Sequence, residues 1–581
     1  MSLRVRAVRR ALPHFTPQKR PSALYRAAQQ ARAPTASRAH ARPYFYRIHI
    51  SHNPPIAHKQ SASGYFAALV VLGLVVGGAL FYPAATDHHT PVSTFEYTDR
   101  TDSYLVMAPN TPPGRPGTLT PEQEVKLREL WAATMKVFGA LDEEASTAET
   151  APQPTPSETT DKDGKKDKKK SRLHVFRRNK GEKGGDSEPA SGTSTPATST
   201  PDISKMSLSE DDKHGQNKEF KDAIANTAPE DLRKAFWSMV KLDHPDALLL
   251  RFLRARKWDV EKALIMMIST MHWRLEQMHV DDDIMKNGEE AALKECKSDD
   301  PKVKKEGEDF LQQLRMGKSY LHGLDAEGRP MCIVRARLHR AGEQSETSLE
   351  RFTVYTIETA RLLLRPPIDT ATIVFDMTDF SLANMDYAPV KFMIKCFEAN
   401  YPESLGTVLV YKAPWIFNTI WNVIKGWLDP VVAGKVHFAK TVDDLQKFVP
   451  KSQIPKELGG DDPYEYSFAE PTEGENAKMA DASRTTLETE RQDLVAKYEK
   501  TIFEWIAEGE STNSLEQRRK ERDSVAESLR NNYWKLDPYV RARSLYDRIG
   551  LIGEGGKLSF YPSTEKENVK PAVDTSADDL D

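Results

Sequence analysis

At 581 residues the chain has the length for three or four domains of about 150 residues each. Its 37 prolines against 30 glycines, 29% charged residues and mean hydropathy of −0.60 argue that part of that length carries no packed core. The net charge of −3 hides an asymmetry, since no Asp or Glu precedes Asp87 while twelve Lys or Arg do. Cys296, Cys332 and Cys396 lie far apart with no CxxC spacing, which excludes a disulfide framework and a zinc site and reads them as small buried hydrophobes.

In chain order, residues 1–60 are rich in Arg, Ala and Ser, with Arg4, Arg6, Arg9, Arg10, Arg20, Arg26 and Arg32 recurring along segments suited to basic amphipathic helices. That composition fits a mitochondrial transit peptide, with a basic cytosolic tail as the alternative. Residues 65–82 are eighteen uncharged, mostly apolar residues with Tyr65, Phe66, Phe81 and Tyr82 at the ends. As a helix they would run about 27 Å, close to a hydrocarbon core, with aromatic rings at both interfaces. A single-pass transmembrane helix is expected there. The positive-inside bias puts the arm in the cytosol or matrix and the rest of the chain across the membrane. A mitochondrial membrane is the first expectation, and the endoplasmic reticulum or another cytosol-facing membrane the alternative.

Residues 83–117 are polar and Pro-rich, which reads as a linker. Thr120-Pro121-Glu122-Gln123 opens a helix, with Thr120 as cap and Gln123 completing a capping box; its apolar stripe runs through Leu127, Leu130, Trp131 and Met135 to about Phe138. The span 141–226 is low in complexity and is expected to be a disordered insert. Its basic cluster, Lys168, Lys169, Lys170, Arg172, Arg177 and Arg178, reads as solvated chain or as a contact with anionic lipid, at about 1 kcal/mol per basic residue near a surface. Nucleic acid is excluded as a partner, because Phe176 alone among the charges makes no stacking platform.

Helical periodicity returns over 229–280, where Asp259 or a neighbour caps a new helix. From about Met316 the pattern changes to α/β alternation: a β-rich run at 331–338, apolar strands at 371–376 and 406–412, and helices at 349–364 and 390–400. Nearly continuous apolar strands between helices predict a mostly parallel sheet. Residues 473–560 read as charged helices, at 486–506 and 513–533, whose sparse apolar positions suit wrapping the domain or pairing with each other; a polar tail closes the chain at 561–581.

Catalytic signatures fail. Met316-Gly317-Lys318-Ser319 has Gln312 where a P-loop needs Gly, and no GxSxG or HExxH occurs. Asp376 and Asp379 form a carboxylate pair, but a strand-end Asp leading into a helix is more often a cap. No enzyme, metal or cofactor is expected.

Leu249-Leu250-Arg251-Phe252-Leu253-Arg254-Ala255-Arg256-Lys257-Trp258-Asp259-Val260 resembles the LLRFLRARKFDV signature of the CRAL-TRIO N-terminal helical segment. Further matches follow in order. Asp325 to Pro330 is similar to the family's D-x-x-GRP turn, and Tyr401-Pro402-Glu403 to Gly406 to its YPERLG motif. Ala413-Pro414-Trp415 is similar to its NAP step, Leu428-Asp429-Pro430 with Lys435 to its LDP…K element, and Ile454 to Gly460 to its closing LP…GG. Pro113 to Leu119 resembles the start of the yeast phosphatidylinositol-transfer proteins, and the nearest subgroup is their non-choline homologues. The resemblance covers roughly 111–139 and 229–468, with the lipid-binding domain over 310–468.

The resemblance implies an α/β lipid-binding domain behind an all-α segment, which binds a phospholipid, phosphatidylinositol first, and transfers it between membranes as a monomer. It implies a mobile gate over an apolar cavity, here Trp415, Phe417, Ile420, Trp421, Ile424 and Trp427, too many large apolar groups for one buried helix face. Carried over by motif, the headgroup residues are Arg256, Glu403 and Lys435: cations for a phosphodiester and a carboxylate for vicinal inositol hydroxyls. A salt bridge between the helical and α/β parts is the plainer role for Arg256 and Glu403. Two departures matter. Ala371 and Ile373 stand where the family's choline-lipid members carry Ser and Thr, with Thr372 on the other face, which makes phosphatidylcholine doubtful. Val432 replaces a headgroup Thr, which weakens the inositol reading. A membrane tether with a lipid-sensing domain, or a carrier of a sterol or similar ligand, are the alternatives.

Overall fold

A computed structural model of the protein describes residues 111–141, 212–508 and 512–561. The basic arm at 1–60, the spanning helix at 65–82, most of the linker, the basic cluster of Lys168 to Arg178 and the tail after 561 lie outside the described residues. Among the described residues no helix is long and apolar enough to cross a membrane.

Helix α1 (Pro121–Val137) begins as its sequence dictates: Thr120 Oγ1 accepts from Gln123 N at 3.3 Å, and Gln123 Oε1 accepts from Thr120 N at 3.1 Å. Helices α2 (Gln216–Asn226), α3 (Pro229–Val240), α4 (Pro245–Ala255) and α5 (Val260–His272) complete an α-helical core with it. Asp259 caps α5 through the Lys262 amide at 3.1 Å, and α5 is buried on every side from Ala263 to Met271. Two expectations need correction here. The insert does not extend to Asn226: α2 is a helix that buries Phe220 and Ala223, too short an apolar stripe to stand out of a charged composition. The linker also ends early, because Gly114 O accepts from Arg254 and Arg115 makes a two-bond ion pair with Asp369 at 3.0–3.1 Å. Those anchors are polar, so hydropathy patterning does not register them.

Helices α6 (Met285–Glu295) and α7 (Pro301–Arg315) lead into the sheet. Strands β1 (Ser319–Leu324) and β2 (Pro330–Arg335) pair antiparallel around the Asp325 turn. Asp325 Oδ1 accepts the Glu327 and Arg329 amides, both at 2.9 Å, while Gly328 takes φ +80°, a left-handed conformation natural to glycine. Helix α8 (Glu346–Arg361), β3 (Ala371–Asp376), α9 (Tyr387–Lys395), β4 (Leu405–Tyr411), α10 (Phe417–Lys425), α11 (Pro430–Gly434) and β5 (Val436–Ala439) follow. The sheet runs β1-β2-β3-β4-β5 and is parallel from β2 onward.

Strand alternation gives the sheet two faces. One, with Met331, Ile333, Val374, Leu409 and Tyr411, is buried under Leu445, Ile454 and Leu458. The other carries Cys332, Val334, Ile373, Phe375, Val408, Val410, Val436 and Phe438. Its β1 end is covered by Tyr533, Trp534, Tyr546, Leu551 and Ile552 from the C-terminal region. There α12 (Ser483–Glu508) and α13 (Thr512–Val540) pair with each other and also enter the helical core through Tyr498, Ile502, Trp505 and Leu529. The C-terminal helices therefore do both things their sparse apolar positions suit.

Candidate functional site

The second sheet face loses its cover toward β5. Val334 on β2, Phe375 on β3 and Val436 on β5 are apolar positions of this face, yet each is only half-buried, as are Phe397, Ile424 and Val432 around them, while Val408 and Val410 of β4 are buried. A filled core leaves such groups near zero exposure, so this part of the apolar face is incompletely covered. Helix α10 lies across it. Phe417 and Ile420 point inward against Met377, Phe380 and Val410, with the Phe417 ring edge-on to Phe380 at 5.8 Å. Trp421 and Ile424 are half-buried at its margin, Trp421 lying 5.4 Å from the Phe438 ring. Trp415, just before the helix, is 83% exposed, and Val423, Val431 on α11 and Phe438 on β5 are exposed as well. The helix itself is amphipathic: its exposed side carries Asn418, Thr419, Asn422 and Lys425 with Val423 alone, so its apolar groups do fit one inner side, contrary to the sequence expectation, and the exposed apolar groups Trp415, Val431 and Phe438 belong to its flanks. Trp427, just past its end, packs on α9 against the Tyr387 ring at 5.3 Å and beneath Lys391 Nζ at 4.8 Å.

The three headgroup candidates lie on three segments that border this region, and no hydrogen bond or ion pair among the described residues joins any two of them. Arg256, at the end of α4, donates to Gln216 Oε1. Burial pulls its guanidinium below the ordinary arginine value, against the opposing carboxylates of Asp429, Glu398 and Asp212. Lys435 caps α11 and donates from Nζ to Leu405 O at 2.7 Å. Glu403 holds a left-handed backbone, φ +53°, and its carbonyl accepts from Arg251 at 2.9 Å. Its carboxylate makes no hydrogen bond or ion pair among the described residues, although its charge acts on the Arg254 guanidinium. Thr372 is buried on the opposite face, where its hydroxyl donates to Asp325 at 2.6 Å.

Sequence reasoning missed Glu398, Lys213 and His214. Glu398 sits on the π-helical turn Cys396–Asn400, and its carboxylate binds Lys213 Nζ at 2.5 Å, His214 Nε2 at 2.8 Å and the Asp429 amide at 2.6 Å. Burial alone would raise this carboxyl; the His214 and Lys213 bonds and the Asp429 N–H outweigh it and hold it below the usual carboxylate range. Arg251 and Asp369, which brace the turn before β4, were also missed as partners. The three cysteines are free, and burial pushes the Cys332 thiol up to about 12.

Residues 314–460 match the family described as CRAL/TRIO domain, and residues 216–269 match its N-terminal domain. The chain is 41% identical over 456 residues to CRAL-TRIO domain-containing protein C3H8.02 of Schizosaccharomyces pombe, covering 76% of this chain and 92% of that protein. It is 39% identical over 455 residues to the phosphatidylinositol transfer protein CSR1 of Eremothecium gossypii, covering 77% of this chain and all of that one. A solved structure titled "Crystal structure of Sfh5" aligns with a TM-score of 0.31 at 16% identity, over 44% of this chain and 85% of its own. This chain belongs to the CRAL-TRIO family.

Proposed function

We propose that this protein binds a phospholipid, phosphatidylinositol first, and transfers it between membranes without covalent chemistry. The carrying observation is the incompletely covered apolar sheet face beneath the amphipathic helix α10, with exposed Trp415 just before that helix. The helix closes on acyl chains with Phe417 and Ile420, and Trp415 just before it meets a bilayer. The similarity to a relative named a phosphatidylinositol transfer protein supports the same reading. Arg256 and Lys435 serve the phosphodiester, and Glu403, whose carboxylate is open, serves the inositol hydroxyls. Choline lipids are disfavoured, because the Thr372 hydroxyl is held by Asp325 on the opposite sheet face from α10. A single-pass anchor at 65–82 would keep the domain near its membrane, in the mitochondrion first, and Lys168, Lys169, Lys170, Arg172, Arg177 and Arg178 would touch anionic lipid.

The test is mass spectrometry of lipids that copurify with the protein, wild type beside Arg256→Ala/Lys435→Ala. Phosphatidylinositol in the wild type and its loss in the double variant is the expected result. A sterol, or phosphatidylinositol retained by the variant, would overturn the headgroup assignment.

A further inference from the structure

The gate's C-terminal end is held by groups that do not belong to it. Helix α10 stops at Lys425, and the chain runs through Trp427, Leu428 and Asp429 into α11. Two backbone groups of this hinge are satisfied from outside: Trp427 O accepts from Lys213 Nζ, and Asp429 N donates to Glu398 at 2.6 Å. Glu398 is also the carboxylate that holds Lys213 and His214. Its side chain is 7% exposed, so losing these cations would leave a buried charge uncompensated. The segment carrying them is fixed at further points. Asp212 accepts the Asn217 amide at 3.0 Å, Gln216 Nε2 donates to Ala399 O at 3.2 Å, and Gln216 O accepts from Ser269 at 2.7 Å. Gln216 Oε1 in turn takes the Arg256 guanidinium.

From this geometry we infer that Glu398 is a positioning residue for lipid exchange, holding residues 212–217 as a strap across the gate hinge. The inference rests on reading α10 as the gate and Arg256 as a headgroup cation. One carboxylate serves both hinge and strap, so the two release together. The strap also occupies Arg256, so a phosphate that takes Arg256 displaces Gln216 and loosens the hinge in the same step. Unliganded protein keeps its gate closed, and the arriving headgroup itself unfastens it.

Amide hydrogen exchange over residues 417–429 tests this without any lipid. Glu398→Gln and Lys213→Glu should each speed exchange there by about tenfold, the loss expected for a charged hydrogen-bond node, and leave the sheet strands protected. Lys213→Arg, which keeps a donor for Trp427 O and a cation for Glu398, should exchange close to wild type and, in a vesicle-transfer assay, keep the wild-type rate of fluorescent phosphatidylinositol release. Lys213→Ala, which removes a partly exposed side chain, serves if Glu398→Gln does not fold. Unchanged exchange in folded single variants, or a Lys213→Arg protein that exchanges as fast as Lys213→Glu, overturns the proposal. Wild-type protein that transfers no phosphatidylinositol would instead overturn the functional reading, and the exchange data would still decide the hinge.

Discussion

Glu358 shows how much one side chain can carry. It lies fully buried on α8 and binds Arg274 at 2.6 Å, Lys241 at 2.5 Å and Arg361 at 3.2 Å, joining the helical segment to the α/β part. Burial would raise its carboxyl, but Arg274, Lys241 and Arg361 together hold it well below the usual range. A depressed folded-state pKa adds stability that is complete above the free-carboxyl value of about 4.3 and is lost as pH falls through the depressed value. Glu358→Gln should therefore cost about 3 kcal/mol in urea unfolding at neutral pH, by leaving buried cations short of a partner. The gap to wild type should narrow as pH drops below about 4; a gap constant with pH would show that shape and not charge is at stake. Residues of this kind mark the limit of reading a sequence. Arg256, Glu403 and Lys435 stand in motifs, which is why the sequence offers them as candidates. Glu398 is not among them, because its partners His214 and Lys213 lie 184 and 185 residues away and in a stretch whose composition reads as unstructured.

At the scale of elements, legibility followed burial. β3 at Ala371–Asp376 and β4 at Leu405–Tyr411 are nearly continuous apolar runs, as strands covered on both faces must be, and their sequences declare them. β5 is four residues long with His437 and Phe438 exposed, and α6 and α7 are charged with narrow apolar stripes, so none of them was evident. α10 was legible as an apolar segment but not as an amphipathic helix, because Trp415 and Trp427, which lie outside it, inflate the apolar count of the run. Positions inside and before the helix have roles that mutation can distinguish. Phe417→Ala removes a ring packed against Phe380 and Phe438 and should lower stability by about 3 kcal/mol in denaturant unfolding. Trp415→Ala should leave the unfolding curve unchanged, since the ring is 83% exposed, and should weaken cosedimentation with phospholipid vesicles severalfold. Equal vesicle binding by both proteins would remove Trp415 from the membrane contact.

Over the whole molecule, the C-terminal extension is part of the fold's foundation. α12 and α13 were legible as charged helices, but not as the lid of the helical core, because only Val495, Tyr498, Ile502, Trp505, Val525, Ala526 and Leu529 turn inward. Their attachment centres on Asp246 in the first turn of α4. Its carboxylate accepts from Trp131 Nε1 and Tyr498 OH, both at 2.7 Å, and from Arg522 Nε at 3.0 Å, so α1, α4, α12 and α13 meet at one buried charge. The far end of α4 carries Arg251 and Arg254, which brace Asp369 and the Glu403 turn beside the headgroup candidates. A disturbance at Asp246 should therefore reach the site through a single rigid helix. Asp246→Ala strips three donors and leaves the Arg522 charge buried, a change worth about 3–5 kcal/mol. In urea, tryptophan fluorescence and release of a bound fluorescent phospholipid should shift to lower denaturant together, as one cooperative transition. Were the extension an independent appendage, fluorescence would move early and lipid release would stay at the wild-type midpoint.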